Sequence, residues 1–248
     1  MGDGALVPPA IAASTVLILA GGLGSRLRSV VGGLPKVLAP VAGRPFLHHL
    51  LDYLRDQGAR DILLSTGYGA EQVAASCRDG AAWGIRLRST RETEPLGTAG
   101  AIKHAEAAIG SDPFLVTNGD SLVRADLSRL LAFHATRGAR ITIALVEVPD
   151  KGRFGAVRLA DDGAITAFDE KSAGGRGLIN AGMYVLDRAV LASIPSGRAV
   201  SVEREVFPRF VGAGLYGLAV PGPFIDIGTP ESYLLAPAIV GGQGSDRT

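Results

Sequence analysis

Two rhythms of apolar residues run along the chain. The run 15–20 is unbroken and stops at Gly21 and Gly22, which predicts a buried strand feeding a glycine-rich loop. From Pro45 onward, Phe46, Leu47, Leu50, Leu51 and Leu54 fall three and four apart and build one apolar helical face, with Gly58 placed to end the helix. The alternation continues as strand 61–66, helix 70–77, strand 85–89, helix 98–108 and strand 114–117. Such alternation predicts a mainly parallel sheet with helices on both faces. A helix over 127–136, N-capped by Asp126 and stopped by Gly138, closes the series. Extended segments then dominate at 141–148, 155–159, 164–169, 178–186 and 215–220, with Asp161-Asp162-Gly163 as a hairpin turn and a short helix near 231–235.

The pattern places a loose leader at 1–13, one domain at 14–238 and a frayed tail at 239–248. With 248 residues, 47% apolar and 20% charged, the chain is long enough to bury a substantial core and has the balance of a soluble globular protein. Its net charge of +1 comes from scattered basic residues, which argues against an extended nucleic-acid footprint. The first apolar run is too short to span a bilayer, so no membrane role is expected. Cys77 is the single cysteine and reads as a buried small side chain, in keeping with a reducing cytoplasm. No repeat of fixed period is present.

Three segments carry candidate chemistry. The loop Gly21-Gly22-Leu23-Gly24-Ser25-Arg26 lets backbone N–H groups turn toward a phosphate. It is neither a dinucleotide fingerprint, because Leu27 stands where the last glycine would fall, nor a P-loop, because no Gly-Lys-Ser/Thr follows. Arg26 inside the loop and Lys36 in Leu34-Pro35-Lys36 add the two cations a triphosphate needs. The second segment, Phe114 to Asp120, delivers the Asp120 carboxylate from the end of an apolar strand, where ligands of open α/β sheets collect. The third, Phe224-Ile225-Asp226-Ile227-Gly228, holds Asp226 between apolar residues. Either carboxylate alone is an ordinary turn or cap residue. Together they suit Mg²⁺, which takes few carboxylates and several phosphate and water oxygens. No G-x-S-x-G elbow or zinc spacing competes, and His48, His49, His104 and His134 all fall on predicted helices.

Taken in order, the motifs Leu19-Ala20-Gly21-Gly22-Leu23-Gly24-Ser25-Arg26-Leu27, Pro35-Lys36, Glu94-Pro95-Leu96-Gly97-Thr98-Ala99-Gly100, Asn118-Gly119-Asp120, Glu170-Lys171, Asn180-Ala181-Gly182 and Phe224 to Gly228 form a distinctive set. The chain resembles the sugar-1-phosphate nucleotidylyltransferases over about residues 15–238. That resemblance implies an α/β Rossmann-like nucleotidyltransferase fold, three-layer α/β/α with a mixed, mainly parallel central sheet. It implies an NTP-binding half at about 14–138 and a sugar-phosphate-binding half at about 139–238. Leu19, Gly21, Gly22, Gly24, Arg26, Glu94, Gly97 and Thr98 would hold the nucleotide. Arg26, Lys36 and Asp120 would serve catalysis, with Asp120 and Asp226 on Mg²⁺. Gly155, Glu170, Lys171 and Asn180 would hold the sugar phosphate.

The implied reaction joins an NTP to a sugar 1-phosphate with release of pyrophosphate, a step in nucleotide-sugar and surface polysaccharide synthesis. Within the family the short length and Glu-Pro-Leu-Gly-Thr-Ala-Gly most resemble the D-glycero-α-D-manno-heptose 1-phosphate guanylyltransferases, hence GTP as partner. Mannose-1-phosphate guanylyltransferases, glucose-1-phosphate thymidylyl- or uridylyltransferases and N-acetylmuramate-1-phosphate uridylyltransferases are the alternatives, followed by a non-catalytic regulatory subunit that keeps the fold. The residues leave open whether Glu92 or Glu94 meets the base, and whether the chain is a monomer or a homodimer.

Overall fold

The computed structural model describes residues 10–22, 24, 26–152, 154, 156–169 and 174–241. In chain order the first elements are β1 (Thr15–Ala20), α1 (Arg28–Val31), β2 (Pro40–Val41), β3 (Arg44–Pro45), α2 (Phe46–Asp56), β4 (Asp61–Thr66), α3 (Ala70–Cys77), β5 (Arg86–Arg91), α4 (Gly97–His104) and β6 (Phe114–Asn118). The remainder are β7 (Ser121–Val123), α5 (Leu127–Arg137), β8 (Ile141–Val148), β9 (Ala156–Leu159), β10 (Ile165–Asp169), β11 (Gly177–Leu186), β12 (Leu215–Ala219), β13 (Phe224–Asp226) and α6 (Pro230–Val240).

Seven strands form the central sheet in the order β12-β8-β11-β6-β1-β4-β5. β1 pairs in parallel with β4 and β6, β4 with β5 and β8 with β12, while β11 alone runs antiparallel, to β6 and β8. Successive side chains of a strand point to opposite faces, and here both faces are apolar. Val16, Ile18, Ile62, Leu64 and Leu115 pack with Leu50, Val73, Leu130 and Ala236, from α2, α3, α5 and α6. Leu17, Leu63, Phe114 and Val116 pack on the other side with Ile102 of α4 and with Leu191 and Phe207. Each fully buried leucine contributes on the order of 2 kcal/mol. The mixed, mainly parallel sheet thus lies between two helical layers, the three-layer arrangement expected.

Local signals act as the pattern suggests. Asp126 accepts the Arg129 N–H at the start of α5, and Gly138 closes it by donating to the Ala135 and His134 carbonyls. Thr229 and Ser232 form a capping box at α6. The hairpin of β9 and β10 turns at Asp162, whose side chain accepts the Ala164 N–H.

Some boundaries differ from expectation. The helix expected at 98–108 splits into α4 and a 3-10 turn, Glu106–Ala108. Distant guanidiniums claim the carbonyls an α-helix would extend from: Arg88 takes Ala108, and Arg188 takes Glu106 and Ile109. β5 extends past residue 89 to Arg91 because β4 pairs with it throughout, although this edge strand is too polar to signal it. Ile11 is buried against the core inside the expected leader, and Val240, in the expected tail, is a buried residue of α6.

One buried group makes stability depend on pH. His134 sits with Nδ1 2.9 Å from Thr142 Oγ1 and Nε2 3.1 Å from Asp187 Oδ1. Desolvation outweighs the Asp187 carboxylate and holds the imidazole pKa below its usual value. The native state therefore keeps His134 neutral, while the unfolded chain gains a proton near pH 6.5. This contribution is fully present above about pH 6.5 and declines as pH falls below it. Urea unfolding at pH 7.5 and 5.5 should show a smaller acid-side loss in His134→Gln than in the unaltered protein. An equal loss would place the acid sensitivity elsewhere.

Candidate active site

At the carboxyl edge of β1 the chain enters the glycine loop, and β6, its parallel neighbour, ends beside it with Leu19 opposite Asn118. Gly119 follows, donating its N–H to the Leu19 carbonyl at 2.9 Å. A β-carbon on Gly119 would sit 2.7 Å from that same oxygen, so only glycine permits the approach. This close pass throws Asp120 out over the edge of the sheet. A second ribbon then fixes its partner: β7 and β13 pair antiparallel with Ser121 opposite Asp226, and the Ile227 N–H donates to the Asp120 carbonyl at 2.9 Å. Two carboxylates far apart in sequence thereby share one edge.

Lys36 rises from the 3-10 turn Lys36–Leu38 and places Nζ 2.5 Å from Asp120 Oδ2. The Asp226 carboxylate accepts the Gly228 N–H through Oδ1. Lys36 and Asp120 border a cavity of about 390 Å³ that Leu19, Gly21, Gly22, Gly24 and Glu92 also line, while Asp226 stands beside it and is not among the lining residues. Its far wall is the start of α4, with Pro95, Gly97 and Thr98, and Asn118 and Asp120 complete it.

Glu92 is the best-anchored carboxylate in that wall. Ser65 Oγ donates to its Oε1 at 3.0 Å and the Leu96 N–H to its Oε2 at 3.1 Å. It lies so close to the glycine loop that a β-carbon on Gly21 would be 2.6 Å from Oε1. Glu94 is exposed and is not among the residues lining the cavity, so of the two glutamates in this loop it is Glu92 that faces the space.

Gly97, at φ +67°, has its Cα pressed on the Val200 carbonyl, where a β-carbon would come within 2.6 Å. Its conformational freedom thus serves the seating of α4 on a distant segment. Thr98 does the same with its hydroxyl, donating to Glu203 Oε2 at 3.0 Å and accepting the Val202 N–H at 2.8 Å. Glu203 belongs to a π-turn, Val202–Val206, that the pattern of apolar residues did not reveal. Asn118 Oδ1 is buried without a hydrogen-bond partner among the described residues, an acceptor left over in the cavity wall.

The other expected site residues are more scattered. Arg26 is exposed and is not one of the lining residues. Asn180 uses its side chain locally, accepting the Gly182 N–H at 2.8 Å and donating to the Tyr184 hydroxyl at 3.0 Å, across the point where the β11 register shifts. Tyr184 is fully buried, and burial pushes its phenol well above its ordinary range. Gly155, Glu170 and Lys171 lie outside the described residues. Cys77 is buried and its thiol is pushed up to about 11 by burial, which leaves it inert beside this chemistry.

The donor set fits a small divalent cation. Among the described residues no group of three or more His, Cys, Asp or Glu comes together, so the protein would offer only the Asp120 and Asp226 carboxylates. One or two carboxylates completed by phosphate oxygens is the usual environment of Mg²⁺. The Lys36 ammonium, already seated on Asp120, shows that the spot attracts positive charge.

A glycine loop, a lysine and two carboxylates gathered at the carboxyl edge of parallel strands define an α/β enzyme that handles nucleotides. The chain belongs to the nucleotidyl transferase family, whose model matches residues 15–240. It is 40% identical over 222 residues to a mannose-1-phosphate guanylyltransferase of Mycobacterium tuberculosis, covering 88% of this chain and 62% of that protein. It is 37% identical over 218 residues to a D-glycero-α-D-manno-heptose 1-phosphate guanylyltransferase of Aneurinibacillus thermoaerophilus, covering 88% of this chain and 94% of that one. The chain therefore spans less than two thirds of the first relative and nearly all of the second. The crystal structure of HddC from Yersinia pseudotuberculosis superposes with a TM-score of 0.81 at 36% identity, over 91% of this chain and 98% of HddC. A second HddC structure, in complex with GMP-PN, superposes with a TM-score of 0.80. No helix among the described residues is long and apolar enough to cross a membrane.

Proposed function

We propose that this chain is a sugar-1-phosphate guanylyltransferase, joining GTP to D-glycero-α-D-manno-heptose 1-phosphate to give the GDP-sugar and pyrophosphate. The observation that carries the reaction class is the meeting of Asp120 and Asp226 beside the glycine loop and Lys36. A sugar phosphate oxygen attacks the α-phosphorus in line, a new P–O bond forms, and the bond to the β-phosphate oxygen breaks with its electrons leaving on pyrophosphate. The nucleophile is already an anion, so no general base is required. Catalysis then rests on positioning and charge neutralisation.

Within this reading the N–H groups of Gly21, Gly22 and Gly24 cradle the phosphates, and Arg26 and Lys36 neutralise the charge that builds up on them. Asp120 and Asp226 would hold Mg²⁺, which would screen the triphosphate and polarise the α-phosphorus. Leu19, Gly97 and Thr98 form the walls around the nucleoside. Gly155, Glu170, Lys171 and Asn180 take the sugar phosphate, in the half beyond about residue 138. The reaction fits a cytoplasmic supply of precursors for surface glycans.

Glu92 supports guanine. A carboxylate has about four acceptor positions, and two remain after Ser65 and Leu96 are satisfied. Guanine presents adjacent ring and exocyclic N–H donors to such a pair, whereas uracil and thymine present one. Mannose 1-phosphate is the second reading for the sugar, favoured by the 40% identity to a mannose-1-phosphate guanylyltransferase. Pyrophosphate release from a matrix of five NTPs against these two sugar 1-phosphates and glucose 1-phosphate tests both. GTP with the heptose substrate should lead in kcat/KM, with UTP and dTTP lower by about 10²-fold or more. Equal use of UTP or dTTP would overturn the base, a lead for mannose 1-phosphate the sugar, and no turnover with any pair the enzymatic role.

A further inference from the structure

The ion pair between Lys36 and Asp120 has a geometry that bears on the order in which ligands enter. The stem of Lys36 is pinned: its backbone is held in the turn Lys36–Leu38, whose Ala39 N–H donates to the Lys36 carbonyl at 3.0 Å. The glycine loop lies so close that a β-carbon on Gly24 would sit 2.9 Å from Lys36 Cβ. Lys36 lines the same cavity as the glycine loop. Its ammonium has come to rest 2.5 Å from Asp120 Oδ2, at 14% side-chain exposure. It is a neighbour of Asp226 as well, because a β-carbon on Gly228 would meet Asp226 Oδ1 at 2.5 Å and Lys36 Nζ at 3.2 Å. One cation is therefore in contact with Asp120 and lies near Asp226, the two carboxylates that the proposed function assigns to the metal.

We propose that Lys36 is a resident counter-cation, which neutralises Asp120 until the nucleotide arrives and thereby makes divalent cation and triphosphate bind together. This rests on the reading of the two carboxylates as metal ligands. The Lys36 ammonium occupies the Asp120 carboxylate oxygen that a divalent ion would use. A divalent ion approaching alone meets that ammonium at contact distance and must displace it without giving it a new partner. A triphosphate on the glycine loop changes both terms, since its oxygens offer the ammonium another acceptor and complete the oxygen set a small divalent ion demands. By linkage, each ligand then raises the affinity of the other by the same factor.

Mn²⁺ titrations of the full chain, followed by the electron paramagnetic resonance of the free ion, test this without turnover. The unaltered protein should bind Mn²⁺ alone weakly and at least about tenfold more tightly with α,β-methylene GTP present, after subtraction of the Mn²⁺ that the analogue binds in a protein-free control. Lys36→Met and Lys36→Gln should bind Mn²⁺ alone at least about tenfold more tightly than the unaltered protein, and Lys36→Arg, which keeps the charge, should not. Equal Mn²⁺ affinity with and without the analogue, or in the neutral variants and the unaltered protein, overturns the proposal. The analogue arm needs no variant, so poor folding of a substituted chain leaves the test intact. The metal assignment is tested separately: analogue-assisted Mn²⁺ binding that survives Asp120→Asn combined with Asp226→Asn overturns that reading and the inference with it, whereas failure of the inference alone leaves that loss in place.

Discussion

Asp120→Asn should reduce turnover by roughly 10²-fold or more, the scale of losing one charge stabiliser of a transition state, while circular dichroism and thermal midpoint change little. The reason for the intact fold is that the bonds anchoring this corner come from the backbone. Gly119 donates to the Leu19 carbonyl, and Ile227 donates to the carbonyl of residue 120, whatever its side chain. The reason for the loss is that an amide of the same shape cannot balance a cation, and it releases Lys36 from its partner at the same time. Asp226→Asn should behave similarly, its amide oxygen still able to accept the Gly228 N–H. Pyrophosphate release at saturating substrates and Mg²⁺ is the measurement. Near-normal turnover in both variants would remove these carboxylates from the site.

Glu92→Gln should cost about 10²-fold in kcat/KM for GTP and narrow the preference for GTP over UTP by a similar factor, because a hydrogen-bonding site with a mismatched group discriminates strongly. The glutamine keeps one acceptor oxygen, enough for one of the two bonds that Ser65 and Leu96 now donate. Its NH₂ group, however, would face a guanine donor with a donor. The readout that isolates recognition is the ratio between nucleotides. If GTP, UTP and dTTP all fall equally, Glu92 merely tethers the start of α4, and guanine is read elsewhere.

How much of this was legible in the sequence depends on whether a residue acts through its neighbours in the chain or across the sheet. β1 and β8 declare themselves as apolar runs buried on both faces, and α2, α3 and α5 by one regular apolar face, α5 with its own stop at Gly138. The glycine loop and Asp120 were legible because they stand at ends of apolar strands, and Lys36 by its place in Leu34-Pro35-Lys36 shortly after the loop. β7 and β13 were not, being three residues each and stabilised by pairing with one another. Nor was the segment from Arg188 to Phe210, whose turns are set by contacts with α4, including two N–H groups of Ala99 and Gly100 that share the Val200 carbonyl. Glu92 and Glu94 looked alike as loop glutamates. What separates them is that Glu92 continues directly from the end of β5 and donates its own N–H to the Thr66 carbonyl, so it stays at the sheet edge while Glu94 projects away.

The single reversed strand has a consequence for how the molecule can change over time. Because β11 runs against its neighbours, its start at Gly177, opposite Val148 at the end of β8, opens on the same rim as the glycine loop and Asp120. The ends of strands from both halves of the chain therefore share one rim, and the segments joining them there can change in length without disturbing the ladder bonds of the sheet. The buried histidine lock of His134, Thr142 and Asp187 closes the opposite rim, where β8 begins and β11 ends. The candidate site and the histidine lock thus stand at opposite ends of the same strands, so that a change at one rim need not reach the other.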